Sequence, residues 1–210
     1  MSVGLTLVLL STISGFFPVI TALYNYKQLD KVLKIAALFF LLASFFDPVM
    51  WLLAKSGSKN NMWMLHLNVV LSLFFYTLIY YKLFTKAIYK KITIALAIIT
   101  LVIMMWFNRS LDEYPSVSNT TLSVQMIMLS LLYFSQLLNP LTFVDIEKQG
   151  LFWINAGVLF YSSVNIFLFM IFTQIPIEDQ HNYYIINSIT NIIANILFSV
   201  GLFCKPQKTT

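Results

Sequence analysis

Long apolar runs, separated by short charged segments, alternate along the whole chain. A helix needs about 20 mostly apolar residues to cross the hydrocarbon core of a bilayer, and seven runs approach or exceed that length. The connections between them are roughly 6 to 12 residues long, as between neighbouring antiparallel helices. The pattern therefore predicts an all-α polytopic transmembrane bundle, a single domain over residues 1–210. The predicted spans are 3–24, 34–54, 62–84, 91–107, 119–139, 151–174 and 183–204.

The composition excludes an ordinary soluble domain. Of the 210 residues, 59% are hydrophobic, 16% aromatic and only 10% charged, whereas soluble domains carry about 25% charged residues. A soluble fold of this size would have to expose much of that apolar surface to water. The net charge of +5 does not indicate nucleic-acid binding, because the lysines lie between apolar runs and form no basic stripe with interleaved aromatic residues.

The distribution of lysine and arginine predicts the orientation. Positive residues favour cytoplasmic loops, and an arrangement with the N-terminus outside and the C-terminus inside places ten of the 13 positive residues in cytoplasmic segments. The three on the outer side are Lys55, Lys59 and Arg109. The cytoplasmic ones are Lys27, Lys31, Lys34, Lys82, Lys86, Lys90, Lys91, Lys148, Lys205 and Lys208.

Two prolines fall inside predicted spans. Pro48 follows Asp47 in the second span, and Pro18 lies close to Gly15 in the first. Proline removes a backbone hydrogen bond from a helix interior and kinks it. We therefore expect kinks in both spans, which could form a cavity or a hinge, although such kinks are also common in membrane helices without a special role.

Polar side chains inside the predicted spans are the candidates for function. Such groups are costly in hydrocarbon and usually face the bundle interior. Asn187, Asn191 and Asn195 share one helix face at i, i+4 and i+8, and Ser199 continues this stripe. With the predicted orientation, several polar groups converge on the outer half of the bundle, where a ligand cavity would open to the outside. The predicted ligand-binding residues are Asp47, His66, Asn68, Gln125, Asn165, Asn187 and Asn191.

A purely structural role is the alternative for several of these residues. Amide and hydroxyl side chains also join membrane helices by hydrogen bonds worth about 0.6–2 kcal/mol each. His66 lies near the start of its helix and fits an interfacial position as well as a pocket. Asp47 could sit high enough to meet interfacial water. An ionisable group in a span is nevertheless a functional hypothesis by default.

Several kinds of chemistry lack their residues. Only two histidines are present, His66 and His181, so a three-histidine zinc hydrolase is disfavoured. Asp47 is the single acid clearly within a span, so a carboxylate pair for acid–base catalysis is absent. The last span has no lysine before Lys205 for a retinal Schiff base, and the six glycines form no phosphate-binding loop. No cofactor or metal is therefore predicted, and an enzyme is disfavoured.

Two resemblances bear on function. Spans one to three and five to seven, joined by the fourth, resemble the layout of small sugar transporters built from parallel three-helix repeats. The Pro-Gln pair of such transporters, however, occurs only at 206–207.

A second resemblance rests on three segments of the last two spans: Leu151–Tyr161, Asn191–Leu197 and Gly201–Lys205. They resemble small uncharacterised seven-helix proteins of Bacteroidota that accompany sensor histidine kinases. This second resemblance covers the last two spans and implies a signalling role.

These observations give three functional expectations for a multi-pass protein of the inner membrane. The first is a sensor or signalling accessory that binds a small ligand from the outer side and contacts membrane lipids and a sensor kinase. The second is a small secondary transporter in which Asp47 couples proton movement. The third, a lipid-modifying enzyme, lacks the second acid and the set of histidines that it would need.

Overall fold

The seven predicted spans are all present as helices. The computed structural model describes residues 3–57, 60–108, 110–138, 145–176 and 180–204. Lys59, Arg109, Asn139, Lys205, Lys208 and the Pro-Gln pair at 206–207, which entered the predictions above, lie outside the described residues. The helices are α1 (Val3–Ser14), α2 (Phe16–Asn25), α3 (Lys31–Ser44), α4 (Phe46–Lys55), α5 (Met62–Leu83), α6 (Ala87–Phe107), α7 (Ser116–Leu137), α8 (Gly150–Ile171) and α9 (Gln180–Phe203).

These helices form seven segments that are long and apolar enough to cross a bilayer. Helices α1 and α2 together make span 1, α3 and α4 make span 2, and α5 to α9 make spans 3 to 7. No strand occurs among the described residues. The chain is therefore an all-α, multi-pass membrane protein, as the hydrophobic pattern predicts.

Several spans begin three or four residues before the predicted start, and in one of them a side-chain cap sets the start. Asp30 caps α3: its Oδ1 accepts a hydrogen bond from the backbone N–H of Leu33 at 2.8 Å, so the helix begins at Lys31. Helix α7 begins directly after Pro115, a residue suited to a helix start. Lysines at such ends can extend their charged groups away from the apolar zone.

Six spans form a closed ring, and the fourth lies outside it. Around the ring, span 1 packs on spans 2 and 7, span 2 on span 3, span 3 on span 5, span 5 on span 6, and span 6 on span 7. Helix α6 packs against α5 and α7 only from outside, and few of its side chains are buried. The fourth span is therefore peripheral in the bundle, with most of its side chains outside the core.

The two ends of the bundle differ in charge. One end, called here the lysine-rich end, carries most of the lysines of the described chain. The other, the N-terminal end, holds the start of α1 and has Lys55 as its one lysine among the described residues. Which end faces the cytoplasm stays a prediction from the positive-residue distribution. The lysines at the lysine-rich end are Lys27, Lys31, Lys34, Lys82, Lys86, Lys90, Lys91 and Lys148.

The helical pattern is interrupted near both prolines for which kinks were predicted, and each interruption lies three residues before its proline. The helical pattern is interrupted at Gly15 in span 1 and at Phe45 in span 2. A proline ring clashes with the carbonyl four residues earlier, which here belongs to Ser14 or Ser44, the last residue of α1 or α3. The two interruptions are adjacent, with the Phe16 and Phe45 rings 6.0 Å apart and edge to face.

Replacing Pro48 should straighten span 2. In Pro48→Ala the new backbone N–H can donate to the Ser44 carbonyl, so α3 and α4 should join into one helix. Spin labels on cysteines at Lys31 and Lys55, with Cys204 replaced by serine, should then lie measurably further apart by pulsed electron paramagnetic resonance. Val49→Ala, one residue away and without a proline, is the control and should leave the distance unchanged. An unchanged distance in Pro48→Ala would show that packing, not proline, imposes the kink.

Candidate functional site

The ring of six spans encloses a cavity in the half of the bundle nearer the N-terminal end. Its volume is about 240 Å³, and every span except the fourth contributes to its wall. The wall combines asparagine amides, serine and threonine hydroxyls and aromatic rings with one carboxylate. Toward the lysine-rich end, the rings of Phe40 and Phe198 stack with their centroids 4.5 Å apart and form part of the wall.

Four of the seven predicted ligand-binding residues line this cavity. They are Asp47 in α4, Asn68 in α5, and Asn187 and Asn191 in α9. Three separate spans supply them, so no local feature of the sequence places them together. Their meeting depends on the closed ring of helices, which brings span 2, span 3 and span 7 around one space.

Asp47 is the second residue of α4, directly after the interruption at Phe45. Its side chain is exposed and lines the cavity. It lies close enough to Tyr161 to interact with the phenol electrostatically. Within the described chain, its carboxylate forms no hydrogen bond and no ion pair; the one ion pair there joins Lys148 and Asp145. Asp47 is thus an accessible carboxyl group that has no hydrogen-bonding or oppositely charged partner among the described residues.

The asparagine stripe of α9 is partly structural. The Asn191 amide donates to the Ser11 hydroxyl at 2.9 Å, and the Asn195 amide donates to the Ser14 hydroxyl at the same distance. These bonds tie α9 to α1, in the helix-joining role weighed above. Asn187, one turn earlier, has an amide oxygen that is buried and without a hydrogen-bond partner. The stripe therefore changes from joining two helices at Asn195 to an amide oxygen without a hydrogen-bond partner at Asn187.

The other three predicted residues lie away from the cavity wall. His66 is buried, with Nε2 3.0 Å from the Glu113 carbonyl, and so connects span 3 to the segment before span 5. Gln125 is buried with its amide nitrogen 3.5 Å from the Thr77 hydroxyl. Whether these residues contact a ligand stays a prediction.

Asn165 is the third of these residues. It is fully buried, and its amide donates to the Tyr161 carbonyl at 3.0 Å, one turn earlier in its own helix. Depth along a helix, which the hydrophobic pattern predicts for Asn165, does not decide which neighbour its side chain meets. Its predicted ligand-binding role is likewise untested.

The predicted ligand-binding residues omit several polar residues of the wall, among them Asn119. Asn119 lies in the first turn of α7 and lines the cavity. The spacing of Asn119 and Ser123, one turn apart on a common face, was the signal that could have found it.

An aromatic cluster lies beside the cavity at the N-terminal end. The Tyr114 ring centroid is 4.2 Å from that of Phe172, which is 4.6 Å from that of Tyr183. The hydroxyls of Tyr114 and Tyr183 are 3.1 Å apart. Ser116 donates to the carbonyl of Phe169, a residue of the cavity wall. Burial raises the pKa of Tyr114 well above its ordinary value, so this phenol keeps its proton and remains a hydrogen-bond donor.

The groups that the cavity offers for binding are one carboxyl group, amides, hydroxyls and aromatic faces. In the part of the chain that the structure describes, no three His, Cys, Asp or Glu side chains come together as metal ligands would. Comparisons of the chain with protein-family models, curated proteins and solved structures found no match. The functional argument therefore rests on the geometry of the cavity itself.

Proposed function

We propose that the protein is a sensor or signalling accessory of the bacterial inner membrane that binds a small polar ligand in this cavity. The observation that carries the proposal is the cavity wall, to which six spans bring one accessible carboxylate and several amides and hydroxyls. Small-ligand sites are concave and largely preformed, with a few polar groups placed among apolar and aromatic surface. A polar interior of this kind is costly in a membrane protein and is usually functional.

The wall is connected to elements that could carry a signal. Asn191 and Asn195 bind span 1 just before its interruption at Gly15, and Asp47 follows the interruption of span 2. A ligand that draws these side chains together would change how the half-helices of spans 1 and 2 sit against α9. Binding can shift a conformational equilibrium only through such differences in contact. The other ends of these spans lie at the lysine-rich end.

The lysine-rich end supports the proposal that the protein passes a signal to a membrane partner. Lys31 and Lys86 are exposed there, as are Lys82 and Lys91. Such residues can contact anionic lipid or an acidic surface of a membrane partner. The resemblance of the last two spans to proteins that accompany sensor histidine kinases favours a kinase as that partner. A predicted orientation with this end in the cytoplasm places it on the side where such kinases have their catalytic domains.

A small secondary transporter is the second candidate, because two interrupted helices border the cavity. Transporters commonly bind substrate beside discontinuous helices near the middle of the membrane. In this alternative, Asp47 would take up and release the coupled proton. The interruptions at Gly15 and Phe45 occur in spans that are otherwise nearly continuous. Such positions could act as a hinge in a sensor or as part of a gate in a transporter.

A cross-linking experiment in native membranes tests the sensor proposal. A photoreactive amino acid at Lys31 or Lys86 should capture a kinase, and autophosphorylation of that kinase in membrane vesicles should change several-fold in Asn187→Leu. This variant removes an amide from the cavity wall without breaking a hydrogen bond of the described protein. Asn182→Leu, an exposed asparagine of the same helix, is the matched control and should leave the kinase unchanged.

If the protein is a transporter, the cross-linking experiment should give the opposite result. The chain would be captured only with copies of itself, and proteoliposomes of pure protein would move protons when substrate is added. Asp47→Asn would abolish that movement. Capture of a kinase that responds equally to Asn187→Leu and Asn182→Leu would also contradict the sensor proposal, since the cavity would then have no part in the signal.

A further inference from the structure

The cavity wall contains an acidic side chain but no basic one among the described residues. Asp47 is the single ionisable acid among its lining residues, and no lysine, arginine or histidine of the described chain lines it. Charged groups within membrane spans usually pair with one another or meet water. Asp47 has no cationic partner in the described chain. The described residues therefore do not supply the positive charge that this carboxylate would attract.

The nearby amides present hydrogen-bond acceptors. Asn68 and Asn187 both line the cavity, and each has an amide oxygen that is buried and without a hydrogen-bond partner. A buried polar atom without a partner costs about 1–3 kcal/mol. Together with the carboxylate, these oxygens favour a ligand that donates several hydrogen bonds.

The aromatic side chains of the wall also bear on the kind of ligand that fits the cavity. Phe46, Tyr76, Tyr161 and Phe169 line the same space as Asp47. Aromatic faces attract cations, by about 2 kcal/mol or more where water is excluded. The cavity of about 240 Å³ is many times the 30 Å³ or so that one water takes up in the liquid. It is therefore larger than an inorganic cation needs, and its walls suit an organic body.

We propose that the cavity selects a small organic ammonium ion, bound by Asp47. The ammonium group would donate to the Asp47 carboxylate and to the oxygens of Asn68 and Asn187, and its organic part would lie against the aromatic wall. Charge-assisted hydrogen bonds are about twice as strong as neutral ones, so Asp47 is the main determinant of ligand class. This inference rests on the proposed function, since it names the ligand of the same cavity.

Binding of two matched probes to purified protein tests the proposal. At pH 7.5, 2-phenylethylamine carries a positive charge, while 2-phenylethanol has nearly the same shape and none. The amine should bind at least tenfold more tightly by calorimetry and should raise the melting temperature, because a ligand of the native state stabilises it. The alcohol should produce little shift at the same concentration.

Three variants identify the group that is responsible. Asp47→Asn keeps the shape and loses the charge, and its affinity for 2-phenylethylamine should fall at least tenfold. Asp47→Glu keeps the charge and should retain binding. Asp145→Asn, which alters an exposed acid paired with Lys148, should bind like the unaltered protein. The melting temperature without ligand checks that each variant is folded.

Three results would overturn the proposal. Equal affinity for the alcohol and the amine, lost in Asn187→Leu but kept in Asp47→Asn, would assign a neutral ligand and leave the proposed function intact. Stabilisation by sodium ions alone, with no binding of 2-phenylethylamine, methylamine or tetramethylammonium, would make the cavity an inorganic cation site. No binding of any of these probes, together with a kinase that ignores Asn187→Leu, would remove both the ligand class and the proposed function.

Discussion

Adding one methyl group to Gly201 is expected to destabilise the protein by about 3 kcal/mol, the upper part of the usual cost of overpacking. A Cβ at Gly201 would lie 2.6 Å from the Gly150 carbonyl oxygen and 2.8 Å from a side-chain carbon of Ile154. The carbonyl belongs to the backbone of α8, so no side-chain rotation can relieve that contact. The two helices would have to separate, which would disturb the ring beneath the cavity. Thermal unfolding in detergent should show a melting temperature lower by several degrees.

Gly15→Ala is the matched control for this prediction. A Cβ there would lie 3.3 Å from the Thr12 carbonyl oxygen and 4.0 Å from the Ser44 Cβ. The closest neighbour needs to move by only a few tenths of an ångström, and replacing a helical glycine lowers the entropy of the unfolded chain. We expect a small change of either sign. If Gly201→Ala and Gly15→Ala melted at the same temperature, the close approach of α8 and α9 would be contradicted.

Removing the Tyr80 hydroxyl is expected to destabilise the bundle by about 1–2 kcal/mol. The Tyr80 side chain is 1% exposed, and its hydroxyl donates to the Asn155 Oδ1 at 2.7 Å and lies 2.7 Å from the Ser130 hydroxyl. Tyr80→Phe would leave the Asn155 oxygen buried without a partner, which costs about 1–3 kcal/mol in proteins. Hydrogen bonds between membrane helices are often weaker, near 0.6 kcal/mol, which lowers the expected value.

A double-mutant cycle isolates this contribution. Tyr80→Phe combined with Asn155→Ala should cost less than the sum of the two single changes, because each already breaks the same bond. Tyr24→Phe, in a side chain 83% exposed, should have almost no effect and no coupling to Asn155→Ala. Strict additivity between Tyr80→Phe and Asn155→Ala would show that the hydrogen bond among α5, α7 and α8 adds nothing to stability.

The number and type of spans could be predicted from the sequence because they depend on short stretches of the chain. A run of about 20 apolar residues must be helical in lipid, since every backbone polar group there needs a partner within the segment. The kinks are similarly local, since Pro18 and Pro48 each act on the carbonyl four residues earlier. Span ends were predicted less well: span 2 begins after the Asp30 cap and span 5 begins after Pro115, whereas the sequence analysis had relied on charge.

The candidate site was predictable only in part. The spacing of Asn187, Asn191 and Asn195 placed them on one face of α9, and depth along the spans placed Asp47 and Asn68 at a similar level. Four of the seven predicted residues do line the cavity. His66, Gln125 and Asn165 have similar depth and polarity, but their side chains turn to the Glu113 carbonyl, Thr77 and the Tyr161 carbonyl instead. Polarity shows that a side chain avoids lipid and does not show which neighbour it meets.

The sequence alone determined that this is a helical membrane protein with polar groups in its interior, because helix formation and membrane insertion are properties of single segments. The tertiary structure decided that six spans close a ring and leave the fourth outside, and that Asp47 faces a shared cavity without a counter-charge from the described chain. It also decided that Asn191 and Asn195 bind serines of span 1, while the amide oxygen of Asn187 has no hydrogen-bond partner. These features depend on helix rotation and on contacts between residues far apart in the chain, which the pattern of any one span does not contain.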